Sequence, residues 1–172
     1  IDKSKKSLLN YEKINKNCKI YIGDISNKKF VERILNKKNY EIIYHLAAQV
    51  EVGVANKDPF TTWESNIRST YDLLNTIVRH KNAKAIIIAS SDKSYGSYAK
   101  KFLPYKENYH SKAIFPYDVS KACADMISQT YASDLFDLPI ITTRFSNIYG
   151  PGQLHFSALI PDLARSLIKK KI

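Results

Sequence analysis

Ala85-Ile86-Ile87-Ile88-Ala89-Ser90-Ser91-Asp92 is the stretch that decides the fold. Its apolar residues run without alternation and then give way to small polar ones. That pattern reads as a parallel strand buried on both faces. Parallel strands need helical crossovers, and the flanking sequence supplies them. Upstream, beyond a loop containing Asp58-Pro59, the spacing predicts a long helix over about 61–80, with Ile67, Tyr71, Leu74 and Val78 on its apolar face. Downstream, a loop over 94–114 leads into a predicted helix from about Tyr117 to Phe136.

Further out the alternation continues. Strands are expected at 19–22, 42–46 and 139–143, and helices at about 27–38 and 157–170. The first of these helices places Phe30, Val31, Ile34 and Leu35 at helical spacing. Strand and helix in turn imply an α/β fold: a doubly wound parallel sheet covered on both faces.

Bulk properties narrow the field. The chain has 172 residues, enough for one domain with a real core, and 44% hydrophobic with 25% charged residues is ordinary for a globular protein. No apolar run is long enough to span a bilayer. The start, Ile1-Asp2-Lys3-Ser4-Lys5-Lys6, lacks the apolar stretch of a signal peptide and an initiator Met, which suggests a processed or partial chain. Cys18 and Cys123 stand far apart, without metal-type spacing, and read as free thiols in a reducing compartment; a cytoplasmic location and no metal are expected.

The formal charge of +11 raises nucleic acid as a partner. The excess is mostly lysine, scattered, and densest at the ends (Lys3 to Lys6, Lys169 to Lys171), without interleaved aromatics. No nucleic-acid or membrane partner is expected, although a positive field can steer an anionic substrate.

In open parallel sheets ligands bind beyond the carboxyl ends of the strands. Asp24, Ala47-Ala48, Ser90-Ser91-Asp92 and Ser146-Asn147 all fall at such ends. Nearby, Tyr117-Asp118-Val119-Ser120-Lys121 puts a phenol and an ammonium four residues apart, on one helix face. A neighbouring cation favours the phenolate, which can take a proton from a carbinol as hydride leaves its carbon. A hydroxyl from the Ser90-Ser91 turn can donate to the same substrate oxygen. Taken singly, the pair also fits a solvated helix face, and the turn an ordinary strand end. His45 reads as a strand residue packed at the sheet, and Asn147 as a possible cap for the turn before Gly150.

Together these motifs resemble the extended short-chain dehydrogenase/reductase superfamily, in its NAD-dependent epimerase/dehydratase branch. Ser90 to Gly96 and Tyr117-x-x-x-Lys121 carry the resemblance, with Gly23-Asp24-Ile25, His45-Leu46-Ala47-Ala48-Gln49, Asn66 and Arg144 to Gly152 in order around them. It implies a Rossmann-like domain and NAD as cofactor, with NADP not excluded. Residues 1–172 would be a partial NAD(P)-binding domain, with a substrate domain only beginning near 146–172. None of the glycines forms the expected fingerprint, so the first strand and phosphate loop are expected upstream of Ile1. Only Asp2 stands where an acidic group would favour NAD by bonding the ribose hydroxyls.

Carried over residue by residue, the resemblance implies cofactor contacts from Asp24, Ile25, Leu46, Ala47, Ala48, Gln49, Asn66, Ala89, Ser90, Tyr117 and Lys121. Substrate contacts fall to Ser91 and Asn147, and catalysis to Ser91, Asp92, Lys93, Tyr117 and Lys121. Ser91-Asp92-Lys93, with Lys121 to Asp125 and Ile160-Pro161-Asp162, looks most like CDP-glucose 4,6-dehydratases. In the implied reaction, Tyr117 removes the 4-OH proton of a nucleotide-hexose as C4 hydride passes to NAD. Asp92 as acid and Lys93 as base then eliminate water across C5–C6, and the hydride returns at C6. Burial beside Lys121 would lower the Lys93 amine for that work. A 4-epimerase or decarboxylase of the same branch is the alternative, and an inactive cofactor-binding relative a third. The family further implies a homodimer, formed through a four-helix bundle of the helices at 61–80 and 117–136.

Overall fold

The structure, a computed structural model, describes residues 17–80, 82–153, 155–156 and 158–169. Asp2, the lysines of 3–6, Ser157, Lys170 and Lys171, on which several expectations fall, lie outside the described residues. The chain divides into two compact units: Gly23–Ser146, and a smaller one from Ile1–Ile22 with Asn147–Ile172.

In the larger unit the elements run α1 (Lys28–Leu35), β1 (Ile42–His45), α2 (Val52–Lys57), α3 (Pro59–Trp63), a π-helical turn (Glu64–Arg68), α4 (Ser69–His80), β2 (Ala85–Ala89), α5 (Pro116–Ala132) and β3 (Ile140–Thr143). Short 3-10 turns at Asp92–Tyr95 and Lys100–Phe102 lie within the 94–114 connection and at its start. The three strands are parallel in the order β1-β2-β3.

Helix starts follow side-chain chemistry. Asn27 Oδ1 accepts from Phe30 N at 3.1 Å to cap α1. Asp58 Oδ1 accepts from Thr61 N at 3.0 Å to open α3, with Pro59 at its first position. The helix expected at 61–80 therefore begins at Pro59. The one expected to reach Phe136 stops at Ala132, where Ser133 turns the chain and donates from Oγ to Thr130 O at 2.6 Å. The short helix α2 was not expected.

Register explains the core. Ile43, Ile86 and Ile140 are cross-strand partners, and with Ile88 they point to the face that α1, α4 and α5 cover. Val31, Leu73, Leu74, Ile77 and Leu138 complete the buried cluster. The opposite face carries Ile42, Tyr44 and Ile141, exposed at 56%, 64% and 57%. Burial of β2 on both faces is thus half realised among the described residues: Ile86 and Ile88 are buried, Ile87 only partly.

The α4–α5 contact departs from the expected apolar face. Leu74 is buried, but Tyr71 is exposed and Ile67 only half-buried. The side turned inward carries Thr62, Asn66, Ser69, Thr70, Leu73 and Thr76. Their hydroxyls satisfy themselves on carbonyls one turn back: Thr62 on Asp58 at 3.0 Å, Thr70 on Asn66 at 2.7 Å, Thr76 on Asp72 at 2.7 Å, and Ser69 on Ser65. Bonded this way, small hydroxyls can be buried at little cost and let helices approach closely. Ser120 and Ser128 of α5 are buried in the same manner, on Tyr117 O and Ala124 O, with Ala124 buried between them.

In the smaller unit, α6 runs Leu159–Ile168, within the expected 157–170. Lys19–Ile22, expected as a strand, forms no ladder among the described residues, and Ile20 and Ile22 are exposed. A strand exists only when a neighbouring backbone takes up its amides and carbonyls.

Candidate active site

The site forms where β1 and β2 end beneath the first turns of α5. Ser90 Oγ donates to Lys121 O at 3.1 Å, and Lys121 Nζ donates to Ala89 O at 2.8 Å. These reciprocal bonds pin α5 to the strand end. Lys121 is buried, and desolvation lowers its ammonium to about 8. Ala89 and Ser90, expected to touch the cofactor, spend these polar groups inside the fold.

Tyr117, one turn before Lys121, is buried, and the Ser91 hydroxyl acts on its phenol. Burial pushes the phenol up, Asp92 and Asp118 push it further, and only the Ser91 hydroxyl opposes them. The expected lowering by the neighbouring cation is therefore not what governs the phenol. The ammonium of Lys121 is drawn to Ala89 O at the sheet.

Ser91 opens the 3-10 turn. Its hydroxyl accepts from Lys93 N at 3.2 Å and donates to Asp92 Oδ1 at 3.1 Å. Asp92 N in turn donates to Phe145 O at 3.0 Å, tying the turn to the segment after β3. Asp92 is half-buried, whereas Lys93 is exposed. The burial expected to depress Lys93 is absent, because the side chain leaves the turn on its solvent side. Its charge instead lowers Asp118, which desolvation, the larger effect, raises.

Among the expected cofactor residues, the Ala47–Gln49 loop is held by Asn66. Asn66 Oδ1 accepts from Gln49 N at 2.8 Å, while its Nδ2 donates to Gln49 O at 2.9 Å and to Ser120 Oγ at 2.9 Å. With both amide protons spent, Asn66 is a clamp between loop and α5 rather than a side chain offered to a ligand. It sits within the π-helical turn, a distortion common near functional sites. Leu46 and Ala47 are exposed and Ala48 half-buried. Gln49 Oε1 is buried without a partner. Asp24 is exposed, and its carboxylate, lowered by the Ser26 amide and hydroxyl, accepts both at 2.8 Å. Ile25 is half-buried and packs against the core. Asn147 belongs to the smaller unit and is exposed.

Two parts of the arrangement escaped the sequence reading. Asp125, four residues beyond Lys121, is buried and accepts from Arg144 Nε at 2.6 Å, and Arg144 also donates to Glu107 O at 2.8 Å. The pair, which raises the Arg144 guanidinium, locks the segment after β3 to α5. An acid one turn past the lysine was the available signal. The other part is the buried bond between His45 and Thr70. No cluster of three or more His, Cys, Asp or Glu suited to a metal occurs among the described residues.

A parallel sheet with serine, tyrosine and lysine gathered at its strand ends defines an α/β protein of the short-chain dehydrogenase/reductase class. More particularly, the chain belongs to the GDP-mannose 4,6 dehydratase family, whose profile matches residues 3–171. It is 29% identical over 168 residues to CDP-glucose 4,6-dehydratase of Salmonella typhimurium, covering 93% of this chain and 46% of that protein. Among solved structures it resembles dTDP-glucose 4,6-dehydratase of Bacillus anthracis in complex with NAD (TM-score 0.75, 28% identity, 94% of this chain and 49% of that one). It also resembles UDP-glucose 4-epimerase of Thermotoga maritima with UDP-glucose (TM-score 0.75, 27% identity, 87% and 47%). The chain spans about half the length of these relatives. No helix among the described residues is long and apolar enough to cross a membrane.

Proposed function

We propose that the protein to which this chain contributes is an NAD-dependent nucleotide-hexose 4,6-dehydratase. The observation that carries the reading is the buried grouping of Ser91, Tyr117 and, one turn further along α5, Lys121, with Asp92 bonded to Ser91. The donor set suits a dinucleotide. Ala89 O takes one of three ammonium protons of Lys121, which leaves two for ribose hydroxyls, and Asp24 offers a second carboxylate oxygen to a base amine. NAD supplies a transient hydride acceptor and a positive ring that favours the phenolate.

The chain's own residues do the rest. Tyr117 takes the sugar 4-OH proton, and Ser91 holds that oxygen by hydrogen bond. Lys121 steadies the phenolate that burial otherwise disfavours. Once C4 is a ketone, the C5 proton is acidic, and Asp92 protonates the departing C6 hydroxyl so that water leaves. Lys93 is the candidate C5 base, and the bound sugar must supply the desolvation that the fold does not. Asn147 serves as a substrate contact, and the NAD bound to the Bacillus anthracis dehydratase supports NAD as the cofactor.

The enzyme works as a cytoplasmic homodimer in this reading. Phe60, Trp63, Ile67 and Tyr71 form a stripe on α3–α4 that is exposed apart from half-buried Ile67, and Phe115 and Met126 are exposed on or beside α5. Such a stripe suits a helical interface.

The test is incubation of the full-length gene product with NAD and a panel of nucleotide-hexoses, followed by product mass. Loss of one water from one of them is expected. Unchanged mass with inverted C4 configuration would replace the reading by the epimerase that the Thermotoga maritima likeness represents. No conversion, despite NAD binding, would leave a cofactor-binding relative.

A further inference from the structure

Along the chain the lysine excess reads as scattered, but folding gathers four of its members around a cluster of rings in the connection between β2 and α5. Residues 98–112 hold Lys100, Lys101, Lys106 and Lys112 against one acid, Glu107, a net of +3. All four lysines are exposed. Tyr98, Phe102, Tyr105 and Tyr109 are interleaved with them, and their rings pack on one another. Tyr98 stacks on Tyr109 at 5.1 Å between centroids and meets Phe102 at 6.3 Å and Tyr105 at 6.0 Å edge to face. Lys112 Nζ stands 4.1 Å from the Tyr98 centroid, and Lys101 Nζ 5.1 Å from that of Phe102. Cations and rings therefore form one contiguous patch.

The polar groups of this segment are spent within it. Tyr98 and Tyr105 donate their hydroxyl protons to His110 O at 2.7 Å and Gly96 O at 3.0 Å. In the 3-10 turn, Phe102 N donates to Ala99 O at 2.9 Å and Leu103 N to Lys100 O at 3.1 Å. Phe102 and Leu103 stand side by side in sequence, 46% and 47% exposed. Two apolar side chains are thus offered by a turn whose amides are already satisfied, flanked in sequence by Lys101 and Lys106.

An occupant of this surface has to supply negative charge and an apolar phase together. The headgroup boundary of an anionic bilayer does both. Its headgroups take the ammonium ions, whose stems can lie along the apolar layer, and its acyl edge takes Phe102 and Leu103. A single-stranded nucleic acid supplies the charge but relies on free ring faces for its bases. Here Tyr98 is taken up by Tyr109 and Lys112, and Tyr105 is stacked on Tyr95 at 4.8 Å.

We propose that residues 98–112 form a docking surface for an anionic lipid membrane, with Phe102 and Leu103 entering the headgroup boundary and Lys100, Lys101, Lys106 and Lys112 holding its headgroups. Attachment of this kind is peripheral and needs no spanning helix. The patch shares no residue with the catalytic grouping, so it stands or falls separately from the dehydratase reading.

The test is cosedimentation of the full-length gene product with vesicles, either neutral phosphatidylcholine or phosphatidylcholine mixed with phosphatidylglycerol. Binding to the mixed vesicles alone is expected, falling as salt rises to about 0.5 M. Lys100→Glu with Lys101→Glu should weaken it about thirtyfold, and Phe102→Ser with Leu103→Ser about tenfold, with helical signal unchanged. Lys29→Glu with Lys38→Glu changes the net charge by the same amount from exposed positions on and after α1, and should leave binding near its original strength. Equal losses from the two lysine pairs mean that net charge alone drives binding, and overturn the patch. Absence of binding to the mixed vesicles by the unsubstituted protein, or equal binding to neutral ones, overturns it whatever the variants do. Release from the vesicles by single-stranded RNA overturns it in favour of nucleic acid. Release by a nucleotide-hexose overturns it in favour of substrate capture.

Discussion

At the residue scale the site sets two buried groups against their ordinary behaviour. Burial drives the Tyr117 phenol up and the Lys121 ammonium down, so each is pushed toward its neutral form before any ligand arrives. Tyr117→Phe removes the proton acceptor without opening a cavity. Its turnover in the full-length protein should fall by about a hundred- to ten-thousand-fold with NAD binding retained, measured as steady-state conversion alongside NAD titration. Lys121 makes a separable prediction about stability. Its pKa in the fold, about 8, lies below the unfolded value of 10.5, so the native state binds fewer protons between the two. The cost of burying the ammonium is fully present below about 8 and is relieved as pH rises toward 10.5. Lys121→Met should accordingly gain most in Tm relative to the unsubstituted protein near pH 7, and this advantage should shrink by pH 10, while hydride transfer is lost at every pH. An advantage that stays constant with pH contradicts the assignment.

At the element scale, α5 is the organising piece. It carries Tyr117 and Lys121 on its first turns, accepts the Asn66 clamp through Ser120, and holds Arg144 through Asp125. Asp125→Ala leaves a guanidinium half-buried without its carboxylate, and should destabilise the fold by about 3 kcal/mol in denaturant unfolding. The connection after β2 depends on Gly96, whose φ is +69° and whose added Cβ would stand 2.1 Å from Lys112 O. That carbonyl is backbone and cannot swing aside, so Gly96→Ala should cost about 1–3 kcal/mol. It should also raise hydrogen exchange across 94–114 before the core strands are affected. Element identity was largely legible, since β2, α4 and α5 lie where hydrophobic spacing put them. The inward face of α4 was not. Thr62, Ser69, Thr70 and Thr76 look solvent-directed in a sequence, and only their bonds to carbonyls one turn back make them core residues.

At the scale of the whole molecule, the chain matches about half the length of its relatives, and its sheet is covered by helices on one face only among the described residues. The exposed stripe on α3–α4 is the feature with a consequence for assembly. Phe60, 71% exposed, and Met126, 56% exposed, lie outside the catalytic grouping. Phe60→Asp with Met126→Asp should convert a dimer to monomer in sedimentation equilibrium without loss of helical signal. A monomer before substitution, or a dimer after it, contradicts the four-helix interface.

The sequence by itself determined the alternation of strands and helices, the parallel order, and the positions of Ser91, Tyr117 and Lys121, because hydrophobic period and local motif spacing are properties of neighbours along the chain. Tertiary structure alone decided how those positions act. Asn66 became a clamp, Ser90 an anchor for α5, Lys93 an exposed amine and His45 a buried neutral ring, since burial and hydrogen-bond partners are set by residues distant in sequence. A pKa follows the same rule. The phenol of Tyr117 answers to the depth of its burial and to Asp92 across the turn, and neither is written in a Tyr-x-x-x-Lys spacing.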